Sequence, residues 1–505
     1  MSDIHSGTAQ VTVAGGIPLD PVDGAAHLFV DPVGGDDDNI GLSAAQAFRT
    51  IQRAVARANA WLPLGVDADL VIHLANPAFP AATTYAENVK AFLAQTPLRR
   101  VFFRADPAEM VVVTAGVAGV GSGVNLIVDA AGAFPVDGFA GIMIRVFDPA
   151  DPAGTMQTKS IRANTATGIE PVSGFFPVPV AGVWTYEVVR PGVIIAGDPA
   201  NQEQPTFNLV CPWGGAAFEG ENFQNGPSVH LNFIEFQKIA LGTTGFPALL
   251  IKGGNVVLVG VVVQVTAPST ALDGIDVSRS SVLTGWSIFF PADPIYGTPA
   301  FSTLLQDCGV GVRGAGIVNV GIRMSYTIWF GTFVTADGAP APFITEKSEA
   351  SIFGGSVIGG IGAFVVDQSA YLGLFSGFFA GLAFLIKGTT NGITARRNAY
   401  LDLGSGGVAF RALGADAIRA QTAAFVDIQG PPFAQTVGAD IPGNAVDAAT
   451  SANVRADPSI FSPLGNFEST GVNCAVDDGT MAAWGVAGAA LILLAAQSGA
   501  RIYKV

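Results

Sequence analysis

Two acidic side chains at repeating positions of the sequence have the spacing that acid catalysis needs. Polar residues follow short apolar runs at regular intervals, and if these runs stack as neighbouring strands, Glu346 and Asp367 lie one strand apart. Strands lie about 4.8 Å apart, which is compatible with the roughly 5 to 9 Å between the carboxyl groups of glycosidases. Two like charges at this spacing raise the pKa of one of them, as a general acid requires. Glu346 and Asp367 are therefore candidate catalytic residues.

The same positions have a structural alternative. The polar residue recurs as an outward-facing column of Lys252, Ser278, Glu346, Asp367, Lys387 and Arg411. Acidic and basic neighbours in such a column neutralise each other as exposed pairs of small energetic value. The sequence leaves both interpretations open and favours the charge ladder.

A second acidic group occupies the loop over residues 31–39. Asp36, Asp37 and Asp38 follow one another, with Asp31 nearby, and carboxylate oxygens are the ligands that calcium prefers. The spacing fits no known calcium loop, so Asp31, Asp36 and Asp38 are only weak metal candidates. We predict no metal and no cofactor.

Other motifs point to no particular chemistry. Residues 309–314 match GxGxxG, but the sequence continues as a strand, without the helix N-terminus that would meet a phosphate. Three cysteines lie far apart and four histidines are dispersed, which argues against a zinc site and a disulfide framework. The 34 phenylalanines against 7 tyrosines and 6 tryptophans favour cores over sugar clefts. Five of them are predicted to form an interior ladder: Phe364, Phe375, Phe378, Phe379 and Phe384.

The composition predicts an all-β protein that buries much of its surface. Hydrophobic residues make up 50% of the 505 residues and charged residues 13%, against about 25% charged residues in an average domain. This apolar excess predicts further burial between subunits. The net charge of −15 argues against nucleic acid as a partner, because phosphate binding needs clustered Lys and Arg.

One pattern recurs along the sequence and sets a period. It consists of an apolar pair, a polar residue, a turn of small residues and a second apolar pair. The apolar markers lie at 251 and 277, then at 345, 366, 386 and 410, which gives steps of 26, 21, 20 and 24 residues. Three short strands and their turns fit into this length, and no such coil buries its own apolar face. The repeat predicts a parallel β-helix.

The chain divides into five predicted regions. Residues 1–25 are an N-terminal arm, and 26–110 open the β-helix with a capping helix. Residues 111–228 are irregular β coils with insertions, or a small β-domain set into the solenoid, and 229–430 are the regular helix. Residues 431–505 are a C-terminal cap or trimerisation module. Its apolar stretch 481–496 is predicted to lie between subunits, with a membrane anchor as the alternative.

The capping helix has a start signal and an apolar stripe. Ser43 and Gln46 have the spacing of a capping box. Five apolar residues then follow at helical spacing: Phe48, Ile51, Val55, Ala58 and Leu62.

Several segments of this region resemble a known superfamily. The segments 29–32, 40–43, 48–52 and 54–55 resemble the start of pectate-lyase-like right-handed β-helices, and 71–74 with 85–89 is similar to their first coil. The resemblance is good over residues 28–90 and only architectural over 230–430. It implies a right-handed parallel β-helix, found in secreted polysaccharide enzymes and in trimeric bacteriophage tailspikes. The lyase and esterase motifs of that superfamily are missing, so no catalytic residue is transferred.

Composition, repeat and resemblance together predict a structural or attachment protein of a phage-like virion. It would be a tailspike, fibre or head-surface decoration, forming a homotrimer and contacting other virion proteins through its N-terminal arm. The start lacks a basic region followed by an apolar stretch, so we expect no signal peptide, assembly in the host cytoplasm, and no membrane partner. The alternatives are a tailspike that degrades host polysaccharide and a bacterial surface adhesin.

Overall fold

The structure of the protein is a computed structural model. It describes residues 11–12, 17–20, 24–64, 68–94, 97, 99–201, 203–213, 227–238, 246–265, 273–284, 308–314, 319–336, 343–375, 384–404, 408–428, 446–448, 453–456, 494–496 and 501–504. Strands dominate this part of the chain, and it contains one long helix, α1 (Ile51–Trp61), and one short helix, α2 (Pro152–Thr155). The predicted all-β class is confirmed.

The strands fall into three groups along the sequence. The first seven are β1 (Val11–Thr12), β2 (Pro18–Leu19), β3 (Ala26–Val30), β4 (Leu70–Leu74), β5 (Thr83–Ala86), β6 (Val89–Phe92) and β7 (Arg100–Ala105). The next six are β8 (Val111–Val117), β9 (Ile127–Val128), β10 (Met143–Phe147), β11 (Gln157–Asn164), β12 (Gly168–Pro171) and β13 (Thr185–Arg190). The others are β14 (Val193–Ala196), β15 (Phe207–Val210), β16 (Ser228–Asn232), β17 (Ile234–Lys238), β18 (Leu249–Lys252), β19 (Asn255–Val259), β20 (Val261–Val265), β21 (Asp273–Ser278), β22 (Ser281–Thr284), β23 (Val310–Gly314), β24 (Asn319–Arg323), β25 (Tyr326–Ala336), β26 (Phe343–Glu346), β27 (Glu349–Ile358), β28 (Gly362–Asp367), β29 (Tyr371–Phe375), β30 (Phe384–Lys387), β31 (Asn391–Ala395), β32 (Tyr400–Leu403), β33 (Val408–Arg411), β34 (Ile418–Ala420), β35 (Phe425–Ile428), β36 (Val446–Ala448), β37 (Asn453–Ala456), β38 (Leu494–Ala496) and β39 (Arg501–Lys504).

Parallel pairing arranges most of these strands in three ladders. Ladder A runs through β3, β4, β7, β16, β19, β22, β25, β27, β29, β32, β35, β37 and β39. Ladder B runs through β5, β14, β17, β20, β23, β25, β27, β30 and β33. Ladder C runs through β6, β15, β18, β21, β24, β26, β28, β31, β34, β36 and β38. From β14 to β35 the chain visits the ladders in the order B, C, A, and the long strands β25 and β27 serve A and B together.

The predicted period agrees with the register of the ladders at three of its four steps. Ile251 pairs with Val277 and Thr345 pairs with Val366 in ladder C, and Ile386 pairs with Phe410 in ladder B. The step from 366 to 386 is wrong, because it compares a strand of ladder C with one of ladder B. Inward-facing Val, Ile and Leu of all three ladders form one core.

The helix α1 packs its apolar face on this core beside the first strands. Ile51, Ala54, Val55, Ala58 and Trp61 are buried there. The Glu87 carboxylate accepts hydrogen bonds from the backbone N–H of Ile51 (2.8 Å) and Gln52 (3.3 Å), so an anion satisfies donors at the positive end of the helix.

The predicted helix start is wrong. The helix begins after Thr50, whose side chain accepts a hydrogen bond from the backbone N–H of Arg53, and Ser43 precedes only a single 3₁₀ turn, Ala44–Gln46. Phe48 pairs with Val30 and exchanges backbone hydrogen bonds with Phe29 and Asp31, which keeps the chain extended up to Arg49.

Strands β8 to β13 form a separate six-stranded antiparallel sheet, here called the inserted sheet, in the order β8-β13-β10-β11-β12-β9. It has its own apolar core, which includes Ile144, Tyr186 and Val188 and reaches Val262 on the outer face of ladder B. The inserted sheet therefore packs against the parallel ladders from outside.

The described pieces after residue 430 are four short strands that continue ladders A and C. Most of the apolar stretch 481–496 lies outside the described residues, and its last three residues form β38. None of the helices in the described part of the chain has the length and apolar character needed to cross a bilayer.

Candidate functional site

Glu346 and Asp367, the catalytic candidates, are direct neighbours in ladder C. They pair in register, so the predicted separation of one strand is correct. The register also places Arg323 beside Glu346, as a member of the column that the sequence did not reveal. The Arg323 guanidinium lies 2.8 Å from Asp276 and 3.7 Å from Glu346.

Asp367 is enclosed by cations. Its side chain is 1% exposed, its Oδ2 accepts a hydrogen bond from Arg396 Nε at 2.9 Å, and Arg397 binds both of its oxygens. Burial alone would raise the pKa of this carboxyl, but the hydrogen bonds from Arg397 and Arg396 outweigh it and lower the pKa below its usual value. Asp367 is therefore held ionised, which suits an anchor for the two arginines and does not suit a general acid.

Two members of the predicted column lie elsewhere. Lys387 and Arg411 are neighbours in ladder B and not in ladder C. Each contacts the inserted sheet: Lys387 Nζ lies 2.6 Å from Asp137, and Arg411 lies 3.7 Å from Glu170. Including them in one column with Asp367 was wrong, because consecutive phrases of the repeat belong to different ladders.

Carboxylates of the loop over residues 31–39 accept hydrogen bonds from the backbone of the same loop. Asp31 Oδ1 accepts hydrogen bonds from the N–H groups of Val33 and Gly34, and Asp36 Oδ1 accepts one from Asp38. Within the described ranges, no group of three or more His, Cys, Asp or Glu side chains could hold a metal ion.

Phe375 does not belong to the predicted interior ladder. Phe364 and Phe384 are buried and packed at 5.6 Å, as predicted, whereas Phe375 points away from the core and stacks on Phe353 at 4.9 Å. Phe378 and Phe379 lie outside the described residues.

The outer face of ladder A carries a row of aromatic and acidic side chains, here called the tyrosine row. Its members are in register on five neighbouring strands: Tyr326, Glu349, Tyr371, Tyr400 and Phe425. The rings of Tyr371 and Tyr400 stack at 5.6 Å, and those of Tyr400 and Phe425 at 5.0 Å. Because these rings cover each other's faces, the row offers ring edges, hydroxyl groups and carboxylates to a ligand.

A pair of carboxylates accompanies the tyrosine row. Asp402 and Asp427 are in register on adjacent strands. The Tyr371 hydroxyl donates to Asp402 Oδ2 at 3.1 Å, and the Tyr400 hydroxyl donates to Asp427 Oδ2 at 3.4 Å. Burial first, and then the charge of Asp427, raise the pKa of Asp402 above its usual value, although the hydrogen bond from Tyr371 opposes them. Asp402 thus has the environment that the sequence assigned to the Glu346 and Asp367 pair.

Gly373 makes room for this arrangement. A Cβ atom at this position would lie 2.6 Å from the ring of Phe375 and 2.9 Å from the Tyr371 hydroxyl. The missing side chain lets the Tyr371 hydroxyl reach across to Asp402, which is the cross-strand partner of Gly373.

The sequence contains a signal for this site that the period of apolar pairs does not reveal. An aromatic residue, an aliphatic residue and then Gly or Asp recur as Tyr371-Leu372-Gly373, Tyr400-Leu401-Asp402 and Phe425-Val426-Asp427. Alternation along a strand places the first and third residues of each triplet on the same outer face.

Comparisons with known proteins give only distant similarities. No protein-family model matches the sequence, and no curated protein matches it either. Among solved structures, a GH136 lacto-N-biosidase from Eubacterium ramulus shows 9% identity and a TM-score of 0.25, covering 95% of this chain and 68% of that one.

Two bacteriophage proteins are also similar. The tailspike protein gp49 of Pseudomonas phage LKA1 shows 10% identity and a TM-score of 0.17, covering 80% of this chain and 69% of that one. The Gp54 tailspike of Acinetobacter baumannii bacteriophage AP22, solved with capsular saccharide, shows 8% identity and a TM-score of 0.19, covering 89% and 67%. At these scores the similarities carry no argument about function.

Proposed function

We propose that the chain is a right-handed parallel β-helix that acts as an attachment protein of a phage-like virion. It works as a homotrimer, either as a tailspike, a fibre or a head-surface decoration, and its N-terminal arm joins it to other virion proteins. The pairing of strands in three ladders, visited in a constant order, supports the coil architecture.

The tyrosine row is the main observation that supports the attachment role. It extends over five strands of one face, with a half-buried aromatic side chain on four of them and the exposed Glu349 on the fifth. A repeating polymer that lies along ladder A meets an aromatic or acidic side chain at each strand. Carboxylates accept strong hydrogen bonds from sugar hydroxyls, so we propose host surface polysaccharide as the ligand.

Light scattering and a polysaccharide assay on one sample test this function. We expect a mass three times the 51.6 kDa of the chain, binding to one capsular or lipopolysaccharide preparation, and no new reducing ends or unsaturated products. A single-chain mass, or failure to bind any preparation from susceptible hosts, would contradict the proposal.

The alternative is a tailspike that cleaves its polysaccharide. The paired carboxylates Asp402 and Asp427 support it, because the raised pKa of Asp402 suits a general acid and Asp427 lies one strand away. Glu346 and Asp367 remain a second proposed pair, adjacent in ladder C, in which the ionised Asp367 is not the general acid.

Asp402→Asn separates cleavage from attachment. If Asp402 is the general acid, cleavage falls by roughly 100-fold or more, while binding of the polysaccharide persists.

The same variant also changes the pH dependence of stability. A carboxyl with a raised folded-state pKa stabilises the fold below its unfolded value of 3.8, and this contribution is lost as the pH rises through the folded pKa. The variant should therefore melt higher than the wild type at pH 7 and lose this advantage below pH 3.8.

Asp38→Asn is the matched control for this variant. Asp38 is an exposed carboxylate in the loop before α1, so its substitution should change neither cleavage nor the melting temperature. Full cleavage by Asp402→Asn would remove Asp402 as the acid and leave Glu346 and Asp367 as the pair to test.

A further inference from the structure

The inserted sheet ends in an apolar edge strand. Within the described part of the chain, β8 pairs only with β13, so its other side is open. Val112, Val113 and Val117 on this strand are 46 to 51% exposed. Sheet edges usually carry charges, Pro or bulges that prevent pairing with another chain. This edge has one bulge, at Val113, and no charged residue.

More exposed apolar side chains surround the end of β8. Val117, Val120, Phe176, Val178, Val180 and Val183, here called the apolar rim, are between 41 and 92% exposed. Backbone hydrogen bonds bring their segments together: Ala118 N–H donates to Trp184 O, Gly182 N–H to Ala118 O, and Phe175 N–H to Val124 O. The rim is therefore one surface at one end of the sheet.

Exposed apolar side chains are concentrated in this sheet and its connecting loops. Of the seventeen large hydrophobic residues that are exposed in the described ranges, nine lie between residues 111 and 190. A soluble protein seldom leaves such a contiguous patch open unless another molecule covers it.

The distribution of charged residues favours a second copy of this chain as the molecule that covers the apolar patch. The chain carries a net charge of −15, so two copies repel each other wherever their acidic surfaces meet. Residues 111–128 and 171–186, which form the edge and the rim, contain no Asp, Glu, Lys or Arg. A second copy can approach this surface without bringing acidic groups together, and such a surface offers nothing to a charged ligand.

We infer that the edge strand β8 and the apolar rim are the contact surface between copies of this chain. This inference deepens the proposed function, because it rests on the proposed homotrimer. Three inserted sheets meet about the threefold axis, and each buries its rim against its neighbours. The tyrosine row lies on ladder A, in a different sheet.

Charged substitutions in the rim test the inference. We expect Val117→Glu with Val180→Glu to reduce the mass from light scattering to one third, the 51.6 kDa of one chain, because three copies would each bring two buried carboxylates together. Both residues are about half exposed in one chain, so the substitutions should not unfold it, and the circular dichroism spectrum of the variant should match that of the Ile361→Glu control. Ile361 is 48% exposed outside the inserted sheet, and its substitution should leave the trimer intact.

The possible outcomes separate this inference from the proposed function. A wild-type dimer that the rim substitutions convert to monomers upholds the contact surface and removes the homotrimer. A trimer of unchanged mass in the double variant overturns the contact surface and leaves the homotrimer in place. A lower melting temperature without a change in mass also overturns it, because the rim is then covered within one chain. A monomeric wild type overturns both.

Discussion

Gly311→Ala is expected to loosen the inserted sheet from ladder B and to cost about 3 kcal/mol, at the upper end of overpacking effects. Gly311 lies on β23, and a Cβ atom there would be 1.8 Å from the carbonyl oxygen of Gly141 in the inserted sheet. A backbone oxygen cannot move aside like the end of a flexible side chain, so the two layers must separate. Nearby, Gly309 N–H donates to Ser160 Oγ at 2.9 Å and Ser356 Oγ donates to Arg162 O at 2.7 Å, and separation weakens both contacts.

Gly321→Ala provides the control for this prediction. Gly321 is a buried strand glycine of ladder C, but the nearest atom to its added Cβ would be the mobile Arg323 guanidinium at 3.4 Å. Hydrogen exchange should show faster opening of β10 and β11 in Gly311→Ala only. Equal protection and equal melting temperatures in the two variants would refute the tight contact.

Asp69→Ala should have a comparable effect near the first strands of ladder A. The Asp69 carboxylate accepts hydrogen bonds from Arg100 Nη2 at 2.6 Å and from Arg100 Nε at 3.1 Å, and both side chains are less than 10% exposed. Its removal leaves a buried guanidinium without its anion, which typically costs about 3 to 5 kcal/mol. Arg100 also lies over the Phe102 ring at 5.2 Å, so it cannot turn to water without breaking this contact.

Two controls identify the mechanism. Asp276→Ala breaks an ion pair of similar length, 2.8 Å, whose partners are 21% and 39% exposed, and it should cost no more than about 1 kcal/mol. Asp69→Ala combined with Arg100→Met removes both charges and should recover most of the lost stability, measured by thermal melting and by exchange in β4 and β7. If the single and double variants melt at the same temperature, the buried charge is not the cause.

The period of the sequence was sufficient to predict strand pairs but not ladder membership. Ile251 and Val277 pair because both face the core at the same place on neighbouring strands of ladder C, and apolar alternation reveals this. Lys387 follows an identical phrase but lies in ladder B, since all three ladders have the same inward apolar and outward polar pattern. The period of apolar pairs therefore does not distinguish one ladder from another.

For the carboxylate pairs, too, the sequence predicts which residues are adjacent but not what surrounds their side chains. Adjacency of Glu346 and Asp367 followed from the repeat, but the protonation of Asp367 depends on Arg396 and Arg397, which follow β31, the next strand of ladder C. Asp402 and Asp427 lie 25 residues apart in the sequence, on adjacent strands of ladder A. Their significance depends on the tyrosine hydroxyl groups that reach them across strands, a contact that the period of apolar pairs does not reveal.

The contact between the inserted sheet and ladder B has a mechanical consequence. Strands stacked in parallel ladders touch mainly their neighbours, so tension can peel them away one at a time from a free end. Here residues 137–170 contact four places along ladder B, from Gly309 through Ser356 and Lys387 to Arg411. These strands must detach together, so under a pulling force the C-terminal strands beyond β33 should yield first and the strands beside the inserted sheet last.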